Sequence, residues 1–71
     1  MKPFQIIIGS PPEYNELVAY IRIDGEQVAL LSQDKGKDAL EVIFFDETAL
    51  RQVQFEVLVA ALNAAKEELL R

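Results

Sequence analysis

Apolar and polar residues alternate through the first two thirds of the chain, in runs separated by turn-forming residues. The stretch LVAYIRIDGEQVALL, residues 17–31, places two largely apolar runs on either side of Asp24-Gly25. An Asp-Gly pair between such runs is typical of a two-residue type I′ turn, in which both central residues have positive φ angles. We therefore predict a β-hairpin with strands over residues 17–23 and 26–32.

Two further strands flank this hairpin. FQIII, residues 4–8, is dense in β-branched side chains, and ALEVIFF, residues 39–45, alternates large apolar residues on both faces. The connections are GSPPEYNE, residues 9–16, whose two prolines exclude a regular ladder, and the polar QDKGKD, residues 33–38. DETALRQ, residues 46–52, is irregular and fits either a turn or a short helical turn.

The last part of the chain has the spacing of an amphipathic helix, over residues 54–70. Apolar residues recur at i, i+3, i+7, i+10 and i+14, namely Phe55, Leu58, Leu62, Ala65 and Leu69, and polar residues such as Glu56, Asn63 and Glu67 lie opposite. Short connections between strands favour an antiparallel meander. We predict one α+β domain over residues 1–71, a four-stranded antiparallel sheet with a C-terminal helix on one face, in the order ββββα.

The period of two in a strand assigns each residue to one face of this sheet. A turn at Asp24-Gly25 predicts that Ile21 lies opposite Val28. Two residues further from the turn on each strand, Ala19 then lies opposite Leu30 on the same face. The face that contains Ile21 is the more apolar, so we expect the helix to cover it. The predicted core then consists of Leu58, Leu62 and Ala65 against Ile21, Val28 and Val42.

The opposite face is also mostly apolar, and one helix cannot cover both sides of a sheet. An exposed apolar patch of several hundred Å² is rare on a soluble monomer. We therefore predict a partner-binding surface made of Val18, Tyr20, Arg22, Ala29, Leu31, Ile43 and Phe45. The expected occupant is a second copy in a two-fold homodimer, or another protein.

Two alternatives to face-to-face association remain open. The loops over residues 9–16 and 46–53 could fold over the second face of the sheet and cover it. A dimer could instead form edge to edge through the first strand, because QIII, residues 5–8, contains no charge that would block strand pairing.

Composition narrows the classes of function. The chain has no Cys and no His, which excludes disulfides and the usual structural zinc sites. Its net charge of −5 disfavours nucleic acid and anionic membranes and modestly favours a cationic partner. The apolar runs are too short to cross a bilayer, and the N-terminal residues lack a signal-peptide pattern. We expect a cytoplasmic protein with neither a nucleic-acid nor a membrane partner.

No motif in the chain points to a reaction, a cofactor or a family. Catalysis at neutral pH usually recruits His, Cys or a carboxylate in an unusual environment, and Glu13, Glu16, Asp34 and Asp38 lie in predicted loops. DKGKD lacks the ligand spacing of a calcium loop and the glycine spacing of a P-loop. We expect no metal, no cofactor and no catalytic residue.

The sequence thus predicts a small non-catalytic interaction module, and an acidic inhibitor or immunity-type protein is one concrete form. The alternative is a small-ligand binder or weak enzyme that uses the carboxylates of the loops over residues 9–16 and 33–38.

Overall fold

Four antiparallel strands and a C-terminal helix form the fold, which confirms the predicted order ββββα. The computed structural model describes residues 3–46 and 51–71. Within them the sheet has the strand order β1-β2-β3-β4, in which each strand pairs with its neighbours in sequence. The elements are β1 Phe4–Gly9, β2 Val18–Ile23, β3 Glu26–Ser32, β4 Glu41–Phe44 and α1 Phe55–Leu69.

The helix begins and ends close to the predicted positions. Gln54 is extended, with φ −60° and ψ 137°, and precedes the first helical residue. Glu56 lies in the first turn and Lys66 in the last, where each charge opposes the partial charge of the helix dipole. None of the helices in the described ranges has the length and apolar character that crossing a bilayer requires. The prediction for residues 46–52 falls largely on residues 47–50, which lie outside the described residues.

The hairpin turn is the one predicted, but the pairing of its strands is not. Asp24 and Gly25 have φ angles of 53° and 81°, as a type I′ turn requires. Next to the turn, the paired residues keep the expected register, yet Ile21 lies opposite Ala29 instead of Val28. Val28 is therefore the extra residue of a β-bulge, and every predicted pair beyond it is wrong by one position.

This bulge corrects the predicted faces of β3. Because one extra residue reverses the alternation, Ala29 and Leu31 lie on the helix side and Leu30 lies opposite Tyr20 on the other side. Ser32, which the prediction placed beneath the helix, lies opposite Val18, and its hydroxyl accepts a hydrogen bond from the Asp34 N–H at 3.3 Å. The bulge thus exchanges Leu30 for Leu31 on the helix side and moves Ser32, which is 3% exposed, to the other side of the sheet.

The core forms where α1 packs on β1 and β2, on the side of Ile21 as predicted. Ala61 and Ala65 are completely buried, and such small side chains let the helix axis come close to the sheet. The buried cluster comprises Ala19, Ile21, Ile23, Val28, Ala29, Leu31, Ala61, Ala65 and Leu69.

The predicted helix stripe is rotated relative to this arrangement. Leu58 and Leu62 are only partly buried because they flank the alanines that face the sheet, and Phe55 is 72% exposed. Val42, expected in the core, is 37% exposed because the helix contacts β1, β2 and part of β3 but does not reach β4. On this side of the sheet, a residue is buried only where α1 lies above it, even if the alternation of the strand points its side chain towards the helix.

The close approach of the helix can be tested with two neighbouring alanines. Ala61→Leu should lower the free energy of unfolding by about 1–3 kcal/mol, because the added atoms must displace the helix from the sheet. Ala60→Leu, one residue away on the exposed side, should change it by less than about 0.5 kcal/mol. Urea unfolding followed by circular dichroism measures both, and equal effects would contradict the helix orientation.

Candidate interaction surfaces

The side of the sheet that faces away from α1, here called the open face, has a row of apolar residues across its middle. In the strand register, Tyr20 lies between Ile7 of β1 and Leu30 of β3, and Leu30 lies next to Ile43 of β4. The Tyr20 ring stacks on Phe45, with ring centroids 6.5 Å apart and planes inclined by 14°. Leu30, between its two neighbours in this row, is only 4% exposed.

The Tyr20 ring also lies against the backbone of β1. A Cβ atom placed on Gly9 would be 2.7 Å from Tyr20 Cε2, which is too close for two carbon atoms. Glycine fits at position 9 because it has no Cβ. Val18, opposite Gly9, is fully buried although its register neighbours Gly9 and Ser32 carry no bulky side chain. Other parts of the chain than Gly9 and Ser32 must therefore cover the Val18 side chain.

The loop between β1 and β2 is tied to the same end of the sheet. The Asp34 carboxylate accepts hydrogen bonds from the backbone N–H groups of Asn15, at 3.1 Å, and Glu16, at 2.9 Å. The Gln33 side-chain amide donates to the Leu17 carbonyl oxygen at 3.1 Å. Pro11 and Tyr14 in the loop are half-buried. The tethered loop and the Tyr20 ring both lie at the end of the sheet that contains the fully buried Val18.

The structure divides the predicted partner-binding residues into two groups. Val18 is buried by groups of the chain itself, and Ala29 and Leu31 belong to the helix-side core because of the bulge at Val28. The remaining predicted residues are half-buried on the open face: Tyr20, Arg22, Ile43 and Phe45. This smaller set leaves Ile7, at 45% exposure, as the most exposed aliphatic side chain of its row.

The charged side chains of the open face contact groups of the chain itself, although the buried Nε of Arg22 has no hydrogen-bond partner within the described residues. The Arg22 guanidinium donates to the Gly25 carbonyl oxygen at 2.9 Å, which turns it back over the hairpin. Glu41 forms an ion pair with Lys35 at 2.9 Å, with both side chains largely exposed. Exposed pairs of this kind contribute little stability, so they leave the apolar residues as the main feature of this side.

A more exposed apolar surface lies on the helix side, where the sequence pattern predicts none. Phe44 of β4 is 60% exposed, and a cleft beside it is lined by Val28, Phe45, Val53 and Leu58. Phe55 lies three residues before Leu58, hence on the same side of α1. We use the name β4 cleft for this cleft together with two exposed residues next to its lining, Val42 beside Phe44 on β4 and Phe55 beside Leu58 on α1. Its rim is polar and includes Asp46, Arg51 and Gln52.

The loop carboxylates proposed as an alternative site have structural roles or lie apart. The Asp34 carboxylate binds the backbone of the first loop, as described above. Three surface clefts are lined by residues of the four strands, α1 and the segments next to them, and not by residues 9–17 or 33–38. Across residues 3–46 and 51–71, His, Cys, Asp and Glu form no group of three or more that could hold a metal ion.

Comparison with known proteins adds no relative to this picture. No protein-family model matches the chain, and neither a curated protein nor a solved structure matches it significantly.

The contact between Gly9 and Tyr20 can be tested by a double-mutant cycle. Gly9→Ala should destabilise the fold by about 1–3 kcal/mol, because the new methyl group forces the Tyr20 ring away from β1. In a Tyr20→Leu background, where that ring is absent, the same change should cost clearly less. Urea unfolding of the four proteins gives the coupling energy. A Gly9→Ala cost that is independent of residue 20 would contradict the contact.

Proposed function

We propose that this protein is a cytoplasmic, non-catalytic interaction module that buries the β4 cleft against another protein or a second copy. The observation that supports this most is the exposure of two aromatic side chains, Phe44 at 60% and Phe55 at 72%, beside a cleft that α1 leaves open. An aromatic side chain buries about 150–250 Å² when it is covered, so leaving two in water forgoes much of the stabilisation available to a small domain.

The composition of the cleft fits a binding surface better than incomplete packing of the core. Residues that dominate binding energy are commonly aromatic, lie at the centre of an interface and are surrounded by a polar rim that excludes water. Phe44 and Phe55 supply the aromatic groups, and Asp46 and Gln52 lie at the rim. Surface charge around an apolar centre would also give the interaction its orientation.

The charge of the chain favours a basic partner. A net charge of −5 on 71 residues attracts a cationic protein over distances of about 10 Å at 0.1 M salt and speeds the first encounter. An inhibitor or immunity-type protein that covers a basic enzyme is the concrete form that size and charge suggest. The small-ligand alternative has less support, because the Asp34 carboxylate is engaged by the loop backbone.

The proposal is tested by capture with matched variants. The wild-type chain, the double variant Phe44→Ser/Phe55→Ser and the control Ala60→Ser would each be immobilised and exposed to a lysate of the native host. A partner that uses the β4 cleft should bind wild type and control and be lost from the double variant. With the purified partner, calorimetry should show a dissociation constant raised by about 30-fold or more, which corresponds to the loss of a hot spot of about 2 kcal/mol.

Unfolding measurements on the double variant separate loss of binding from loss of fold. Both phenylalanines are exposed, so the variant should unfold at a urea concentration close to that of the wild type. A partner retained equally by the folded double variant would overturn the assignment of the β4 cleft.

A further inference from the structure

The outer edge of β1 lacks the features that usually keep an edge strand from pairing. β1, Phe4–Gly9, runs six residues with the sequence FQIIIG and contains no charge, no proline and no bulge. Ile7 and Ile8 are 45% and 37% exposed. Natural edge strands are normally protected by lysine, proline, a bulge or a short length. In the described part of the chain, no strand pairs with this edge.

The opposite edge of the sheet is built differently. β4, Glu41–Phe44, has four residues, and its first residue is an acidic one that is ion-paired to Lys35. A short strand with a charge at its end offers few backbone groups to a partner. The contrast singles out β1 as the edge that is suited to strand pairing.

The direction of the backbone groups on β1 follows from one hydrogen bond. The Asp24 N–H donates to the Pro3 carbonyl oxygen at 3.3 Å, which makes Pro3 and Asp24 a hydrogen-bonded pair of the ladder. Hydrogen-bonded and non-hydrogen-bonded pairs alternate in an antiparallel ladder. The backbone groups of Gln5, Ile7 and Gly9 therefore point towards β2, and those of Ile6 and Ile8 point outwards.

We propose that β1 pairs with β1 of a second copy around a two-fold axis at Ile7. In this register, Ile6 of each chain lies opposite Ile8 of the other chain. The outward N–H and C=O groups of both Ile6 residues and both Ile8 residues therefore form hydrogen bonds. Ile7 lies opposite Ile7 of the mate, in a non-hydrogen-bonded pair that covers its exposed side chain.

A second copy is the occupant that this edge fits best, because the edge is complementary to itself. A two-fold axis brings the same uncharged segment to both sides, so the paired strands themselves place no charge in the seam, although each chain carries −5. The axis is perpendicular to the sheet and keeps both helices on one side of an eight-stranded sheet. Beside β1, the helix lines a shallow cleft with the small Ala64, which leaves room for the mate, and with Glu68, whose carboxylate is ion-paired to Arg71 of the same chain at 3.3 Å.

The inference extends the proposed function by naming a partner, and it rests on the same idea of an interaction module. It uses a different surface, however. β1 and β4 are at opposite ends of the strand order, so the dimer places the two β4 clefts at the outer edges, where both stay accessible. The two proposals can therefore fail separately.

Cysteine cross-linking tests the register directly, since the native chain has no cysteine. Ile7→Cys should form a disulfide dimer on mild oxidation, because the Cα atoms of a non-hydrogen-bonded pair are about 4.5 Å apart, within disulfide range. Gln5→Cys, on the same strand and face, should stay uncrosslinked, since four residue steps along the strand separate it from its mate by about 13 Å. Phe44→Cys reports on association through the β4 cleft.

Mass measurement by light scattering at micromolar concentration provides the second arm. The wild-type chain should have about twice the monomer mass of 8.0 kDa. Ile7→Lys and Ile8→Pro should return to the monomer mass while circular dichroism shows an intact fold, because the Ile8 N–H points away from β2. Phe44→Lys should remain dimeric.

Each other outcome overturns the edge dimer in a recognisable way. A monomeric wild type that does not cross-link at position 7 refutes it and leaves the β4 cleft to the capture experiment. A dimer that cross-links through Phe44→Cys and is lost in Phe44→Lys refutes it while supporting self-association through the cleft. Cross-linking through Gln5→Cys but not Ile7→Cys refutes the register.

Discussion

One α-helix is too narrow to cover a four-stranded sheet, and most other features of this protein follow from that constraint. A helix with its side chains is about 10–12 Å wide, whereas the outer strands of such a sheet are about 14 Å apart between their axes. With Ala61 and Ala65 pressed onto the sheet, α1 lies over β1 and β2. The helix side of β4 then has no cover from α1, which is why Phe44 and Val42 are exposed there.

The other side of the sheet has no helix and is covered by local means. The Tyr20 ring lies over Gly9 and stacks on Phe45, and the loop tethered to Asp34 closes the end near Val18. Burying a valine or leucine side chain contributes about 1.5–3 kcal/mol, so the burial of Val18 and Leu30 matters in a chain of 71 residues. A partner is therefore not required at the centre of the open face.

The two proposed interaction surfaces lie at the two margins of the sheet, and the two margins offer different chemistry. The β4 cleft presents exposed aromatic side chains with a polar rim, which suits recognition of another protein surface. The β1 edge presents backbone groups in a straight, uncharged strand, which suits addition of a further strand. Because β1 and β4 lie at opposite ends of the sheet, a small chain could engage two partners at once.

The sequence by itself determined the elements, their order, the Asp24-Gly25 turn and the side of the sheet that lies under the helix. These depend on local chemistry and on periodicity, which a single stretch of chain contains. The bulge at Val28 was decided by tertiary structure, because it lets Val28, Ala29 and Leu31 all join the core while Ser32 moves away from the helix side. The rotation of α1 onto Ala61 was likewise decided by how closely the helix approaches the sheet, which exposes Phe55 although its spacing matches the apolar stripe. The interaction surfaces depend on both of these choices, since exposure is a property of the packed chain and not of any one segment.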